Sequence, residues 1–389
     1  MSLDIPLAAP DIDDDDRRAV LDVLSGRWLS GGPRIGVFEE ALAARCGRRH
    51  AVAVSSGTAA LHLAVRALEW RAGDEVITTP FSFVASTNCL LYEGVRPVFV
   101  DIDPQTRCLD PQRVERAVTP RTVGLLSVDV FGYPADWPAL EAIAERHGLA
   151  LLTDACESLG TTRGVGPSAV PAGKAGIAGA FAFYPNKQIT TGEGGALVTD
   201  DDGVAARCRS IRNQGRDGGA GWFHHARLGF NYRLSELACA LGTTQLRRLD
   251  DIVARRAAVA ARYHALLEPH GALLRLPPRL DDGTQSWFVY VVELAGEFTR
   301  TDRDAVIADL KARGIGCSDY FAPLHLQPFI AEALGHRPGD FPACERLSER
   351  TIALPFFPAL AEREQRTVVD ALVESVDART APRTAALEG

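Results

Sequence analysis

The sequence predicts an α/β fold in which a mainly parallel sheet forms a large domain and a smaller α+β domain follows it. Between about residues 49 and 153, short apolar runs rich in β-branched residues alternate with patterns of helical period. The apolar runs are nearly continuous, which is typical of parallel strands covered by helices on both faces. After residue 154 this alternation stops, which indicates a change of architecture.

The predicted elements follow a regular order in the first part of the chain. Strands are predicted at residues 50–54, 75–79, 97–101, 123–128 and 149–153, and helices between them at 58–70, 81–92, 111–118 and 135–147. A glycine-rich stretch at 160–179 precedes two apolar runs, 180–184 and 195–199. A long helical pattern at 234–267 then leads into a second strand-bearing region at 286–293.

These changes of pattern predict the domain organisation. We expect a large domain at 1–250, a small domain at 251–377 and a disordered tail rich in Ala, Arg, Thr and Pro at 378–389. The acidic run at 13–16 is interpreted as the solvated N-terminus of a helix.

Composition narrows the class of protein. The chain has 389 residues, of which 46% are hydrophobic and 24% charged, with a formal net charge of −8. This charge disfavours a nucleic acid or an anionic membrane as a general partner. Eight scattered cysteines without a C-x-x-C pair, no apolar run of membrane-spanning length and no signal-peptide pattern predict a cytoplasmic protein. No His, Cys and Asp grouping has metal-ligand spacing, so no metal is expected.

Lysine is scarce in this chain. Only three of the 42 basic residues are lysines, namely Lys174, Lys187 and Lys311. Chemistry that needs a primary amine therefore has three candidates. Lys187 lies between the two apolar runs and beside a glycine-rich turn, which favours a role that guanidinium cannot fill, such as imine formation with an aldehyde. From its position alone, a surface lysine in a loop is an equally good interpretation.

Other motifs lie at predicted junctions between strands and helices. The run 55–58, SSGT, joins a strand end to a helix start, where free N–H groups and hydroxyls bind an anion or simply cap the helix. Asp154 follows a strand and precedes Lys187 by 33 residues; it suits either a pyridinium nitrogen or a helix cap. Phe83 suits stacking on a planar ring or packing in the core.

Several of these segments resemble one family. DACESLG at 154–160, FAFYPNK at 181–187 and TTGEGG at 190–195 are similar to motifs of the DegT/DnrJ/EryC1/StrS sugar aminotransferases. So are SSGTAAL at 55–61, GDEVI at 73–77 and GFNYR at 229–233. The resemblance runs in order from about residue 28 to residue 357, so it does not rest on a single motif.

The resemblance implies a fold type I enzyme dependent on pyridoxal 5′-phosphate (PLP), with a seven-stranded sheet and with active sites shared between the two subunits of a homodimer. Lys187 would carry PLP as a Schiff base and move protons, and Asp154 would hold the pyridine nitrogen. The implied cofactor contacts also include Gly57, Thr58, Phe83, Glu157, Gln188 and, from the other subunit, Asn231. Where the family usually has serine this chain has Ala182, so one phosphate-binding hydroxyl is missing unless Gln188 or water replaces it.

The implied reaction is transamination. L-Glutamate would donate its amino group, and the acceptor would be a nucleoside-diphosphate-linked sugar. The motifs containing Glu157 and Glu193 are most similar to enzymes that aminate C4 of 4-keto-6-deoxy sugars. Substrate contacts are expected at Trp28, Glu193, Arg233 and His325. For His325 a structural role is an equal alternative.

Other functions remain open at this stage. A C3 keto-sugar, a cyclitol ketone or a small keto acid would suit the same chemistry. A regulatory protein that binds PLP without turnover is an alternative from a different class.

Overall fold

A computed structural model of the chain describes residues 5–217, 221, 223–296 and 298–380. Its strands, in chain order, are β1 His50–Val54, β2 Glu75–Thr78, β3 Arg96–Phe99, β4 Thr122–Val128, β5 Ala150–Asp154, β6 Thr162–Arg163, β7 Val170–Pro171, β8 Ala178–Ala182, β9 Gly195–Thr199, β10 Leu274–Arg275, β11 Gly283–Thr284, β12 Tyr290–Leu294 and β13 Thr351–Leu354. The predicted strands of the first part of the chain all form, with ends shifted by one or two residues.

The α-helices surround these strands. They are α1 Asp14–Leu24, α2 Arg34–Arg45, α3 Gly57–Ala67, α4 Ala85–Leu91, α5 Pro111–Ala117, α6 Trp137–His147, α7 Asp202–Arg212, α8 Glu236–Arg247, α9 Leu249–Leu267, α10 Arg300–Ala312, α11 Pro328–Leu334, α12 Pro342–Ser348 and α13 Glu362–Asp377. In the part of the chain that the structure describes, no helix is long and apolar enough to cross a membrane.

The largest sheet has seven strands in the order β1-β9-β8-β5-β4-β2-β3. Strands β3, β2, β4, β5 and β8 pair in parallel, while β9 pairs antiparallel with both β8 and β1. The prediction of a mainly parallel α/β sheet is therefore confirmed. Parallel strands end at one edge, so the loops that follow β4, β5 and β8 meet there.

Two hydrophobic cores form in the described residues. The first packs the seven-stranded sheet against helices that include α2, α3 and α6. The second joins α9, α10 and α13 to the sheet of β10, β12 and β13, and it also includes Ile5 from the N-terminal segment. The division near residue 250 stays a prediction, and most of the predicted disordered tail, from residue 381 onward, lies outside the described residues.

Two local predictions are corrected by the structure. The helical pattern 234–267 is broken into α8 and α9, because the backbone leaves the helical conformation at Arg248 (φ −96°, ψ 3°). The Arg248 guanidinium bonds to the carbonyl of Asp11 at 2.7 Å and to Asp16 at 3.3 Å. The acidic run does start a helix, with Asp13 as its cap, but Asp16 is fully buried rather than solvated. Asp16 thus fastens α1 to α8.

Candidate active site

A cavity of about 410 Å³ lies at the carboxyl edge of the parallel strands. It is lined by Ser56, Gly57, Thr58, Leu61, Ser82, Phe83, Ala85, Val128, Asp154, Cys156, Glu157, Ala182, Tyr184, Asn186, Lys187, Glu193, Gly194, Phe288, Tyr320 and Phe321. Widely separated parts of the chain therefore meet at one concave site, which is where sheets of this kind bind ligands.

The N-terminus of α3 forms one end of this cavity. Ser56 caps the helix by accepting the N–H of Ala59 at 3.1 Å, so the N–H groups of Gly57 and Thr58 lie ahead of the helical hydrogen bonds. A Cβ at Gly57 would stand 2.6 Å from Cβ of Ala182 and 3.0 Å from Sγ of Cys156. Glycine is therefore required here by close packing within the chain. The free N–H groups and the helix dipole suit a phosphate.

Asp154 lies at the end of β5 and is 6% exposed. Its Oδ2 accepts the Ser86 hydroxyl at 2.7 Å, and Ser86 in turn lies 2.8 Å from the hydroxyl of Ser82. Its Oδ1 accepts the backbone N–H of Cys156 at 3.2 Å. These contacts hold the carboxylate in one orientation at the cavity wall. Ser86 was not predicted, although it lies in the segment that was singled out for Phe83.

Lys187 and Glu157 face one another in the cavity. The Lys187 Nζ atom lies 3.4 Å from Oε1 of Glu157, and the two side chains are 14% and 7% exposed. The other oxygen of Glu157, Oε2, accepts the backbone N–H of Phe131 at 2.9 Å. Burial raises the pKa of Glu157, while the charge of Lys187 and the Phe131 N–H oppose that rise. The largely shielded amine of Lys187 therefore has a titratable partner.

Aromatic side chains form the remaining walls. Phe83 and Tyr184 line the cavity and are more than half exposed, so a ring bound between them would cover apolar surface that is now open to solvent. Phe288, Tyr320 and Phe321 come from beyond α9. Burial raises the pKa of Tyr320 to about 12, which keeps its hydroxyl protonated at neutral pH. The sequence held no local signal for these three residues.

The prediction that Gln188 binds the cofactor is corrected by its position. Its side chain is buried, and its Nε2 donates to the carbonyls of Glu157 at 2.6 Å and of Ser286 at 3.0 Å. Both contacts are to backbone, so the amide group is used to join two chain segments rather than to replace the hydroxyl absent at Ala182.

The prediction of a substrate contact at His325 is also corrected. His325 is fully buried, with Nε2 2.9 Å from Glu345 and its ring packed on Phe341. It does not line the cavity. Burial lowers its pKa, so the imidazole favours its neutral form. His325 therefore has the structural role that the sequence left as the alternative.

Three further predicted residues lie away from the cavity of their own chain. Trp28 is 62% exposed, and Asn231 is exposed beside Asn213. Arg233 donates to Asn213 at 3.0 Å and lines a separate arginine-rich basin of about 690 Å³. Glu193, by contrast, is exposed at the cavity rim.

Comparison with known proteins gives one family. The model of the DegT/DnrJ/EryC1/StrS aminotransferase family matches residues 10–373. The GDP-perosamine synthase of Caulobacter vibrioides is 38% identical over 370 residues, covering 95% of this chain and 97% of that protein. The pleiotropic regulatory protein of Geobacillus stearothermophilus is 35% identical, covering 92% of this chain and 93% of that protein.

A solved structure agrees with this result. The structure of S. venezuelae DesV in complex with a ketimine intermediate is 35% identical in sequence and has a TM-score of 0.85. The match covers 95% of this chain and 98% of that chain. The fold is therefore that of the PLP-dependent fold type I transferases, and the cofactor of the family is PLP.

Ala182 packs against Gly57 at the N-terminus of α3, so the side chain at residue 182 should affect the affinity for PLP. Ala182→Ser should tighten PLP binding about tenfold, because a hydroxyl beside Gly57 adds a donor to the dianionic phosphate. The Kd of PLP, measured by fluorescence titration of the cofactor-free protein, checks this. Ala182→Val adds volume without a donor and should not tighten binding. Equal tightening by serine and valine, or none by serine, would contradict the prediction.

Proposed function

The chain belongs to the DegT/DnrJ/EryC1/StrS aminotransferase family and is a PLP-dependent sugar aminotransferase, and we propose that it transfers the amino group of L-glutamate to C4 of a nucleoside-diphosphate-linked 4-keto-6-deoxy sugar. The observation that carries the proposal is the convergence of Lys187, Asp154, Phe83 and the α3 N-terminus on one cavity. These are the groups that hold the amine-reactive end, the ring nitrogen, the ring face and the phosphate of PLP.

Each side chain has a definite task in this proposal. Bound PLP supplies a ring that withdraws electrons from the carbon being deprotonated. Lys187 carries the cofactor between turnovers and moves the proton between the cofactor and the substrate carbon. Asp154, oriented by Ser86, keeps the proton on the ring nitrogen through a charge-assisted hydrogen bond. Gly57 and Thr58 bind the phosphate, and Phe83 covers the ring.

The sugar assignment is supported by the relatives and by the cavity. The GDP-perosamine synthase, at 38% identity, is named for an amino sugar attached to a nucleotide. In this chain Glu157 and Glu193 line the cavity. Trp28 and Arg233 lie outside it, so their proposed substrate contacts would be made in the site of a second copy. The alternative acceptors are a 3-keto sugar, a cyclitol ketone and a small keto acid.

A second candidate function follows from another relative. A protein 35% identical to this chain is named as a pleiotropic regulatory protein. The alternative of a cofactor-binding regulator without turnover is disfavoured, because the family match identifies an aminotransferase. The buried pair of Lys187 and Glu157 favours an enzyme, because a protein that only binds the cofactor has no need of a titratable group beside the amine.

The proposed enzyme is a cytoplasmic homodimer with shared active sites. Asn231 and Arg233 lie outside the cavity of their own chain, where a second copy would receive them. Four exposed apolar side chains lie near these residues or line the cavity. Trp28 and Leu29 precede Ser30, which pairs with Ser235, and Phe83 and Tyr184 line the cavity. Covering them with a second copy would stabilise the dimer through the hydrophobic effect.

The substrate class is tested with an end-point assay. Purified protein with PLP and L-glutamate should aminate nucleotide 4-keto-6-deoxy sugars, with products identified by mass spectrometry against 3-keto sugars, cyclitol ketones and keto acids. Lys187→Arg, which keeps the charge but lacks a primary amine, should lose at least about 10²-fold in rate. Cofactor binding without amination of any acceptor would support the regulator instead, and amination of 3-keto sugars alone would contradict C4 chemistry.

Shared active sites predict complementation between two defective variants. Lys187→Ala and Asn231→Ala should each have low activity alone. In a mixed dimer, one site combines Lys187 of one subunit with Asn231 of the other. Co-refolding equal amounts should therefore restore about one quarter of wild-type activity by random pairing. Mixing Lys187→Ala with Asp154→Ala is the matched control, since both residues come from the same subunit, and it should restore none. Equal recovery in the two mixtures would contradict shared sites.

A further inference from the structure

The side-chain amine of Lys187 contacts two neighbouring groups. On one side is the Glu157 carboxylate, 3.4 Å from Nζ. On the other is the ring of Phe288, whose centroid is 3.7 Å from Nζ. Phe288 is 2% exposed and Glu157 is 6% exposed, so both partners are fixed and largely shielded from water. An ammonium group between a carboxylate and an aromatic face is stabilised by both.

One backbone residue holds both partners of the amine. Phe131 adopts a left-handed conformation, with φ 60°. Its N–H donates to Oε2 of Glu157 at 2.9 Å, and its carbonyl accepts the N–H of Phe288 at 3.3 Å. A non-glycine residue in this region carries a conformational cost. That cost is offset by contacts which set the carboxylate and the ring on opposite sides of the lysine.

The two neighbours of Lys187 are fastened to the segment that carries Phe288. Arg256, buried in α9, donates to the carbonyl of Phe288 at 2.7 Å and to that of Asn186 at 3.5 Å. Gln188, on the other side of the lysine, donates to the carbonyl of Ser286 at 3.0 Å. The distance between the lysine loop and the Phe288 ring is therefore held from both sides.

We propose that Glu157 and Phe288 form a holding site for the protonated amine of Lys187 whenever that lysine is not bonded to the cofactor. The inference rests on the proposed role of Lys187 as the lysine that carries PLP. To react again, the ammonium group gives one proton to Glu157: an N–H bond breaks, an O–H bond forms, and a neutral amine and a neutral carboxylic acid result. Phe288 is a positioning residue in this scheme, and Glu157 touches the reacting amine.

The surroundings of Glu157 suit this transfer. Burial raises the pKa of its carboxyl group, because removal from water disfavours the carboxylate relative to the protonated acid. The nearby charge of Asp154 acts in the same direction. Burial raises the pKa of Tyr320 and of the Cys156 thiol, the other titratable groups of the cavity that interact with Glu157, so both favour their protonated forms. The transfer therefore leaves no unpaired charge on either partner.

The scarcity of lysine makes a direct test practical. Trace labelling of the full-length, cofactor-free chain with acetic anhydride at neutral pH reports how much of each amine is neutral and accessible. Lys174 and Lys311 serve as references within the same molecule, because Lys174 pairs with Asp200 at the surface and Lys311 is exposed. Peptide mass spectrometry gives the labelling of Lys187 relative to both.

If Glu157 and Phe288 hold the ammonium group, substitutions at these two residues should change the labelling of Lys187 by different amounts. Glu157→Gln should raise relative labelling of Lys187 about tenfold, and Phe288→Leu roughly fivefold, because each removes one group that stabilises the charged amine. Phe288→Tyr keeps the ring and should stay near wild type. Phe321→Leu removes another ring of the same cavity, one that packs on Phe81 and Phe131, and should change labelling little.

The proposal is overturned by two results. One is an equal rise in Phe288→Leu and Phe321→Leu, which would indicate easier access alone. The other is unchanged labelling in Glu157→Gln. Far-UV circular dichroism and thermal unfolding show whether each variant is folded. If Phe288→Leu does not fold, Glu157→Gln still decides. The assay uses neither sugar nor amino donor. Its failure would therefore leave the substrate assignment intact, and failure of the substrate assignment would leave the holding site intact.

Discussion

The site depends on the parallel pairing of β5 with β8. In that pairing Asp154 lies beside Ala180, and the N–H of Ala155 donates to the carbonyl of Ala180 at 2.9 Å. Residues 154 and 182 therefore end at the same edge of the sheet, and the chain after β8 returns over it with Lys187. Gly57 packs against Ala182 at the same edge, so the α3 N-terminus is held there as well. The proposed partner of the ring nitrogen, the Lys187 amine and the proposed phosphate site thus arise from one strand register.

Polar bonds from buried side chains to backbone carbonyls complete the site. Arg256 of α9 donates to the carbonyls of Phe288 and of Asn186, the residue before Lys187. Gln188, the residue after Lys187, donates to the carbonyl of Ser286. Burial lowers the pKa of Arg256 to about 10, because removal from water disfavours the charged guanidinium. The aromatic wall of Phe288, Tyr320 and Phe321, which belongs to or packs against the first core, thereby keeps a fixed position over the cavity.

Sequence reasoning located the residues that sit at strand ends and failed where only tertiary contacts decide. Asp154, Gly57 and Phe83 follow predicted strands, and Lys187 follows an apolar run, so periodicity places them near one edge of the sheet; the family resemblance, not periodicity, implied that they form one site. Gln188 and His325 lie elsewhere, since their orientation is set by Ser286 and Glu345, which are remote in sequence. Tyr320 and Phe321 were missed because their segment has no regular period, and the break at Arg248 was missed because its cause lies in the N-terminal segment.

The claim on which the account rests is that Lys187, and no other lysine, carries the cofactor. Borohydride reduction of the PLP-loaded protein, followed by peptide mass spectrometry, measures this directly, because reduction fixes the cofactor on the amine to which it is bonded. The account predicts one reduced pyridoxyl group per chain, on the peptide containing Lys187. Its appearance on Lys174 or Lys311, or the absence of any reduced linkage in protein that retains PLP, would contradict it.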